Sequence, residues 1–353
     1  MSDIAVVWVA LGTPSAPTPS AVKTYLREFL TDKRIVDMNP TLWRAILELF
    51  ILPRRAKVSA SKYASIWSPA GSPLLVNTMR QADALHEYLW MNGVDVRVSW
   101  AMRYGQPSLP RVLDGLRSDG VRRVLVVPAY PQYSGTTVAS VYDEVARYML
   151  ASRDELELRF VRSFPAEDKY IEALAQSIER SWKRNGRPDF VNGDVLLLSY
   201  HGLPVKMARD GDPYPAECQA TTEALRARLK LSASQCRMSF QSTFGTDAWL
   251  TPATIDTVAE LGQEGAHRVD VACPAFVADC LETIEEIGML NRERFAEATQ
   301  HRGVFNRIDC LNNDELFIEA MADVVGQELA GWSSRTKMRR PQRYEVADAD
   351  VLA

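Results

Sequence analysis

Several features that identify common protein classes are missing from this chain of 353 residues. No G-x-G-x-x-G, Walker A, H-E-x-x-H or G-x-S-x-G motif occurs, so nucleotide binding, zinc proteolysis and serine hydrolysis have no local support. No apolar run reaches the about 20 residues that span a bilayer, and the first residues lack the basic segment of a signal peptide. The five cysteines form no C-x-x-C pair. We therefore expect a cytoplasmic protein without a zinc ribbon.

Charge and composition narrow the class further. The net charge of -4 and the pI of about 5.7 argue against a nucleic-acid partner, because such proteins usually carry a basic face. Apolar residues make up 46% of the chain and charged residues 24%, which is typical of an ordinary globular protein. A chain of this length is expected to form two domains, each large enough to bury its own core.

Strand-like and helix-like segments alternate along the chain. Thr18-Pro19 and Ser72-Pro73 predict helix starts, because Ser or Thr caps a helix and Pro fits its first position. Strands separated by helices indicate parallel sheets with helices on both faces. The predicted strands lie at 4–11, 96–102, 124–127, 156–161, 194–200, 236–241 and 268–273. The predicted helices of the second half lie at 168–184, 215–229, 253–263 and from about 277.

The two halves of the sequence resemble each other. The segment from Leu116 to Gly120, followed by Arg123, parallels the segment from Leu261 to Gly265, followed by Arg268. Each copy leads into a strand and then a proline. We therefore predict a duplicated α/β domain, each copy a parallel sheet flanked by helices, with a cleft between the copies.

The predicted domain bounds follow from this duplication. Residues 1–165 form the first domain, with an apolar lip at about 40–57, and residues 166–330 form the second, which carries His201 and Glu282. The tail at 331–353 is polar and basic without an apolar period, and we expect it to be disordered.

His201 is the most informative single residue, in a chain with only four histidines. It follows the apolar run at 194–200 and precedes Gly202, so it is predicted to stand at the end of a buried strand. Open α/β sheets bind ligands at the carboxyl ends of their strands. A neutral imidazole can accept a proton or bind a transition metal near pH 7. The alternative, a histidine that only completes local hydrogen bonds, is less favoured by this position.

Three carboxylates follow the strand at 268–273. Asp279, Glu282 and Glu286 are spaced i, i+3 and i+7, which predicts one face of a helix. Neighbouring carboxylates repel each other unless a cation is near or protons are shared. A solvated acidic face, stabilised by the helix dipole, is the alternative. With His201 at the same end of the sheet, the set has the mixed nitrogen and oxygen donors of a transient Fe2+ or proton site.

Two further segments are candidate ligand walls. Trp249 follows a strand in a polar loop, where it either packs in the core or offers a flat surface to a planar ligand. Trp43, Ile46, Leu47 and Phe50 form an apolar stripe of helical spacing. That stripe is either a core helix or a lip for a greasy substrate or a membrane. The stripe is closed by the basic residues Arg54, Arg55 and Lys57.

Nine segments, in order over roughly residues 4–327, carry a family resemblance. They are Leu11-Gly-Thr-Pro14, Tyr25-Leu-Arg-Glu-Phe-Leu30, Gly71-Ser-Pro-Leu74, Met102-Arg-Tyr104, Tyr130-Pro-Gln-Tyr-Ser134, Ser199-Tyr-His-Gly-Leu-Pro204, Gly211-Asp-Pro-Tyr214, Phe240-Gln-Ser242 with Trp249-Leu250, and Asp279-Cys-Leu-Glu-Thr283. Together they resemble the ferrochelatases, which insert Fe2+ into a porphyrin. The resemblance implies two Rossmann-like domains of the chelatase type, with the porphyrin in the cleft between them.

The resemblance also implies residue roles. His201 and Glu282 would be the catalytic residues and metal ligands on opposite sides of the porphyrin, and Asp279 and Glu286 would lie on the path of the metal or the protons. The positions implied to bind porphyrin are Tyr63, Arg103, Tyr104, Trp249 and Phe276, with a looser match to the propionates at Arg54, Arg55 and Lys57.

Some positions depart from the family pattern. Ala10 stands where Asn is usual, and Ser134 to Ser140 differs from Ser-x-Ser-Thr-Thr-Gly-Ser. Cys280 stands where some members carry a second histidine, so a two-histidine iron path is not assumed. No cysteine follows Cys310, so the C-terminal cluster site of the animal enzymes is missing. We expect no [2Fe–2S] cluster and no prosthetic group, with Fe2+ as a substrate.

The predicted activity is insertion of Fe2+ into protoporphyrin IX, with release of two protons and formation of protohaem in the last step of haem biosynthesis. Coproporphyrin III is the alternative substrate, but an apolar lip suits a porphyrin with two propionates. A cobalt or nickel chelatase is a rival interpretation, but Cys280 and the Tyr-His-Gly-Leu-Pro segment favour iron. A porphyrin or haem carrier without enzyme activity is another, but a carrier would not need a histidine and a carboxylate cluster at facing strand ends. The predicted partners are the porphyrin and Fe2+, with no nucleic acid. Peripheral membrane contact and the choice between monomer and homodimer stay open.

Overall fold

Two parallel four-stranded sheets organise the molecule. The computed structural model describes residues 2–243 and 247–332. The first sheet has the order β2-β1-β3-β4 and the second has the order β6-β5-β7-β8, so the strand order is the same in both halves. This repeat confirms the predicted two-domain α/β architecture. The strands are β1 (Ile4–Gly12), β2 (Arg97–Tyr104), β3 (Arg123–Pro128), β4 (Glu157–Phe160), β5 (Val195–His201), β6 (Cys236–Gln241), β7 (Arg268–Ala272) and β8 (Val304–Arg307).

Helices connect the strands and cover both faces of each sheet. Thr18 and Ser72 cap the helices that follow them through their side-chain oxygens, and Pro lies in the first turn, as the sequence predicts. The helices are α1 (Pro19–Leu30), α2 (Pro40–Ile46), α3 (Leu52–Ile66), α4 (Pro73–Met91), α5 (Leu109–Ser118), α6 (Val138–Ala151), α7 (Asp168–Asn185), α8 (Val205–Arg209), α9 (Tyr214–Leu229), α10 (Thr254–Gln263), α11 (Arg292–Ala298) and α12 (Glu315–Glu328). Two π-helical segments also occur, at Leu47–Ile51 and Glu282–Asn291.

One apolar core runs through both halves. The central strands β1 and β5 are almost entirely buried, as expected for parallel strands covered on both faces. Helix α12 packs against α4 of the first half and α7 of the second. The Trp8 and Phe317 rings meet edge to face, with centroids 6.2 Å apart. This shared core fixes the two sheets relative to each other, so their carboxyl ends can build one site.

The segment after β7 differs from the prediction. A helix from about 277 is wrong, because the helix begins at Glu282 and is π-helical through Asn291. The preceding backbone is held as a loop, since Asp279 N–H donates to Asn312 Oδ1 (2.8 Å) and Cys280 N–H donates to Thr283 Oγ1 (3.0 Å). Asp279 therefore lies outside the helix, and the predicted i, i+3, i+7 face is not formed.

Two other predictions need correction at their bounds. The apolar stripe lies on a segment that is helical without a break from 40 to 66, as its spacing predicts, with a π-helical turn at 47–51 that the spacing does not indicate. The tail was predicted to begin at 331, but Trp332 is buried, and its Nε1 donates to Glu157 Oε1 (2.6 Å). The rest of the predicted tail, including its basic cluster, lies outside the described residues. Across 2–243 and 247–332, no helix has the length and apolarity required to cross a bilayer.

Candidate active site

His201 is the last residue of β5 and stands half-buried at the carboxyl end of the second sheet. Its Nδ1 lies 2.7 Å from the Gly202 carbonyl oxygen, which can only accept, so Nδ1 carries the proton and donates. In the neutral ring, Nε2 then keeps a free lone pair. Nε2 has no hydrogen-bond partner among the described residues. This tautomer makes His201 a proton acceptor or a metal ligand at Nε2.

Two aromatic side chains stand beside His201. The Phe276 ring lies with its centroid 6.3 Å from that of His201. Trp249 pairs with Pro204 across an isolated bridge and packs against Gly202, where a Cβ atom would lie 3.0 Å from the indole Cε3. Gly202 is thus required for the indole to approach the end of β5. Both rings are half-buried, as a wall open to a planar ligand would be.

Glu282 and Glu286 lie on the π-helix next to this strand end. Gln241 Nε2 donates to the Glu282 carbonyl at 3.3 Å, and Ser242 N–H donates to Glu286 Oε1 at 2.7 Å. The Ser242 hydroxyl donates to the other carboxylate oxygen. Burial raises the pKa of Glu286 and the charge of Glu282 adds to the rise, while Ser242 and His201 oppose it. These mutual effects place His201 and both glutamates in one electrostatic neighbourhood.

The opposite wall of the cleft comes from the first half. Tyr25 of α1 and Tyr63 of α3 are buried in one cluster with Tyr104, and Leu281 of the second half packs against that cluster. Burial raises the pKa of the Tyr63 hydroxyl, and the negative charge of Glu282 raises it further. Tyr63 of the first half therefore lies close to Glu282 of the second half.

An ion pair connects the first half to the π-helix of the second. Lys62 Nζ lies 2.9 Å from Glu285 Oε2, which joins α3 to the π-helix. The pair links the two halves next to Glu282 and Glu286. Lys62 was not predicted as a site residue, because nothing in the sequence pairs it with a residue 223 positions away.

Cys280 lies buried behind Glu282. Burial raises the pKa of its thiol well above the ordinary value, and the charge of Glu282 adds to this rise. A thiol held protonated is a poor metal ligand, because the thiolate is the binding form. Cys280 is therefore a poor metal ligand at neutral pH.

Arg103 and Tyr104 lie in the wall rather than on its open surface. Both are buried, and both donate to Asp32 Oδ2, Arg103 from Nη2 at 2.6 Å and Tyr104 from its hydroxyl at 2.8 Å. Arg103 Nε donates to Ser140, and Nη1 lies 3.4 Å from Glu144. Each guanidinium nitrogen thus has a protein partner. Arg103 therefore holds neighbouring elements of the first half together.

Asp279 does not point toward His201. Its Oδ1 accepts from Arg307 Nη1 at 2.6 Å and from Thr283 Oγ1 at 2.8 Å, and its Oδ2 accepts from Asn312 Nδ2 at 2.8 Å. Both oxygens are therefore engaged in a buried network. The predicted place of Asp279 on a metal or proton path has no support in this geometry.

The lip exposes large apolar side chains. Leu47 and Leu52 are fully buried and Trp43 is half-buried, while Phe50 is 63% exposed. One side of the stripe thus packs in the core and the other faces outward, and its role toward a substrate or a membrane stays a prediction. The exposed apolar residues of the lip and its flanks are Met38, Leu42, Leu49, Phe50 and Val58. Arg54, Arg55 and Lys57 are exposed on α3 beside them.

Within the described ranges, no three His, Cys, Asp or Glu side chains are close enough together to hold a metal ion. His201 and the glutamates therefore lie near one another without forming a closed metal cage in this conformation. Sequence reasoning missed Ser242, Tyr25 and Gln241 as site residues. Tyr25, Gln241 and Ser242 belong to segments that match the family, which was the available signal.

Comparisons with known proteins agree with this site. The model of the ferrochelatase family matches residues 3–329. The ferrochelatase of Janthinobacterium sp. (strain Marseille) is 49% identical over 328 residues, which cover 93% of this chain and 87% of that protein. The ferrochelatase of Herminiimonas arsenicoxydans is 48% identical with the same coverage.

Two solved structures share the fold at low sequence identity. SirB from Bacillus subtilis with Fe3+ has a TM-score of 0.53 at 12% identity, covering 95% of this chain and 99% of that chain. DR2241 from Deinococcus radiodurans, which has structural similarity to chelatases, has a TM-score of 0.54 at 13% identity, covering 94% and 56%. With the family match over nearly the whole chain, the conclusion is that this protein belongs to the ferrochelatase family, whose members insert a metal into a porphyrin.

Proposed function

We propose that this protein inserts Fe2+ into protoporphyrin IX, releases two protons and forms protohaem, as the last step of haem biosynthesis. The observation that carries the proposal is His201 at the end of β5, with Nδ1 fixed on a carbonyl and Nε2 free. Glu282 and Glu286 share its electrostatic neighbourhood. An acceptor and a carboxylate pair in one cleft provide what metalation needs, since two pyrrole protons must leave as a cation enters.

His201 is proposed to act on one face of the porphyrin. Its Nε2 lone pair can take a pyrrole proton or hold the incoming metal, and the Gly202 carbonyl stabilises the resulting imidazolium through Nδ1. Trp249 and Phe276 stand beside the ring and provide flat apolar surface for the macrocycle. Together they form the histidine side of the cleft.

Glu282 is proposed to act on the other side, with Glu286 behind it. Burial raises the pKa of Glu286 above that of an ordinary glutamate, whereas the hydrogen bonds from Ser242 stabilise its charged form. A carboxylate balanced in this way can take up a proton that Glu282 receives from the pyrrole or from metal-bound water. Tyr63 faces Glu282 from the first half and closes this part of the cleft.

The exposed lip supports protoporphyrin as the natural substrate. Leu42, Leu49 and Phe50 present apolar surface on α2 and the π-helical turn that follows it. An apolar lip fits a macrocycle with two propionates better than one with four charged groups. The same surface, beside Arg54 and Arg55, supports a cytoplasmic protein that touches a membrane at its lip.

The test is anaerobic incubation of the purified protein with Fe2+ and protoporphyrin IX, followed by its Soret and visible bands. Zn2+ serves as a spectroscopic substitute, and coproporphyrin III is assayed in parallel. Multiple turnovers with protoporphyrin would support the proposal. Faster turnover with coproporphyrin III would make that porphyrin the preferred substrate. Tight porphyrin binding without metalation would support a porphyrin carrier without enzyme activity.

A further inference from the structure

A buried glutamine bridges the two halves of the molecule. Gln81 lies on α4 of the first half and is 2% exposed. Its Oε1 accepts from Trp8 Nε1 at 3.0 Å, and its Nε2 donates to the carbonyl oxygens of Val277 and Asn312, each at 2.9 Å. Both ends of the amide are thus satisfied, two of the bonds by backbone of the second half. A buried polar side chain whose hydrogen bonds are all formed holds its partners in fixed positions.

Asn312 extends this link to the loop before the π-helix. Its N–H donates to the Val277 carbonyl, its Oδ1 accepts from Asp279 N–H and its Nδ2 donates to Asp279 Oδ2, each at 2.8 Å. Asn312 has a φ of 50°, a left-handed conformation that Asn adopts more readily than most residues. Asn312 therefore holds Val277 and Asp279 while Gln81 holds Asn312.

Asp279 carries the link to the first turn of the π-helix. Its Oδ1 accepts from the hydroxyl of Thr283, and that hydroxyl also accepts from Cys280 N–H. Thr283 is fully buried and follows Glu282 in the chain. The chain of contacts thus runs from Gln81 to the residue adjoining Glu282 through Asn312, which is half-buried, and Asp279, which is buried.

Arg307 adds a second hold on the same helix. Its Nη1 pairs with Asp279, and its side chain passes Gly288, where a Cβ atom would lie 3.0 Å from Arg307 Cδ. Because Gly288 has no side chain, the Arg307 side chain can pack directly against the π-helix at 282–291. The network therefore touches both the start and the middle of the segment that carries Glu282 and Glu286.

We propose that Gln81 is a positioning residue for Glu282. From the first half it clamps the loop at 277–281, so that the π-helix begins at Glu282, close to Tyr63 of the first half. This inference rests on the proposed function. Gln81 contacts no substrate in this arrangement. It acts only by holding the loop at 277–281 of the second half in a fixed position relative to the first half. An amide is required because one end must accept from Trp8 and the other must donate twice.

A matched control exists in the same interface. Gln132 is also 2% exposed and also bridges the halves, since its Nε2 donates to Thr221 Oγ1 at 2.8 Å. Thr221 lies on α9 and takes no part in the Gln81 bonds. Gln132→Leu therefore removes a buried hydrogen bond between the halves and leaves the Gln81 bonds in place, whereas Gln81→Leu removes all three of those bonds.

The experiment compares zinc insertion into protoporphyrin IX by the full chain carrying each change. Gln81→Leu is expected to lower kcat roughly 10- to 100-fold with an unchanged KM for porphyrin, since misplacement of a catalytic group slows the chemistry. Gln132→Leu is expected to lower Tm but to keep kcat within about twofold of the unmodified protein, since it leaves the three Gln81 hydrogen bonds intact. Equal kcat losses in both variants, or none in Gln81→Leu, would overturn the proposal.

A double-mutant cycle separates positioning from general loosening. If Gln81 acts through Glu282, adding Gln81→Leu to Glu282→Gln should lower kcat by less than about twofold, because coupled residues are not additive. Fully additive losses would overturn the proposal. If Gln81→Leu does not fold, Gln81→Glu replaces it, which keeps the acceptor for Trp8 and removes both donors. Failure of the unmodified protein to metalate any porphyrin would instead count against the proposed function.

Discussion

Ser242 donates two hydrogen bonds to the carboxylate of Glu286, from its backbone N–H to Oε1 at 2.7 Å and from its hydroxyl to Oε2. Ser242 directly follows β6, which pairs with β5 at the position of His201. The acid side and the histidine side of the cleft are therefore fastened to neighbouring strands of one rigid sheet. This arrangement sets the opposing influences on Glu286, which is buried yet supplied with two donors.

Glu286→Gln should raise stability while lowering activity. Burial raises the folded-state pKa of Glu286, so its contribution to stability is full below the unfolded value of about 4.3 and is lost as pH rises through the folded pKa. Above that window the charged carboxylate destabilises the fold, and the uncharged glutamine removes this effect. We expect a higher Tm than the unmodified protein at pH 8 and a smaller difference at pH 5, with kcat lowered about tenfold or more.

Thermal unfolding of both proteins across pH 5 to 8, read alongside zinc insertion, checks this prediction. Glu293→Gln, an exposed position on α11, controls for a change of net charge. A Tm difference for Glu286→Gln that stays constant across this pH range would show that its titration contributes nothing.

His201→Ala should abolish metal insertion and leave the fold intact. The side chain is half-buried at a strand end, and its hydrogen bond is to the adjacent Gly202 carbonyl, so its removal disturbs little packing. Loss of the general base alone predicts a fall of about 100-fold or more in kcat. Turnover near that of the unmodified protein, in a variant with normal circular dichroism, would remove His201 from the mechanism.

Glu282→Gln should lower turnover strongly while porphyrin binding persists. The change keeps the shape of the side chain and removes its charge, so the cleft wall near Tyr63 is preserved while proton or metal exchange is lost. Porphyrin fluorescence titration and zinc insertion are measured on the same preparation. We expect a Kd within about threefold of the unmodified value and a kcat lowered at least about tenfold, since acid–base groups contribute at this scale. Parallel loss of binding would make Glu282 a binding residue instead.

The fold could be predicted because its signals are local. The apolar run before His201 and the caps at Thr18 and Ser72 each act within a few residues, and the observed elements begin within about two residues of most predictions. The strand at 304–307 was missed, since it is short and half-exposed and lacks an apolar run.

The site was predicted less completely because its geometry depends on distant partners. Asp279 reads as part of an acidic helical face, yet Arg307 and Asn312, about 30 residues later, hold it in a buried loop. The resemblance implies that Arg103 binds porphyrin, yet its guanidinium is hydrogen-bonded to Asp32 and Ser140. The periodicity of apolar and charged residues does not indicate which distant side chains form ion pairs. Only the family resemblance could therefore indicate which charged residues belong to the site.

Phe50→Glu should weaken membrane association without unfolding the protein. Phe50 is 63% exposed on the lip, so a charge there costs the fold little, whereas insertion of the ring into lipid is lost. Burial of a phenylalanine is worth about 1.5–3 kcal/mol, which predicts roughly 10-fold or greater weakening of binding to phosphatidylglycerol–phosphatidylcholine vesicles. Leu150→Glu is the matched control, because Leu150 is 88% exposed on α6, away from the lip. Vesicle sedimentation should separate the two variants at equal Tm. Equal binding of both would mean that the exposed apolar residues of the lip serve the porphyrin rather than a membrane.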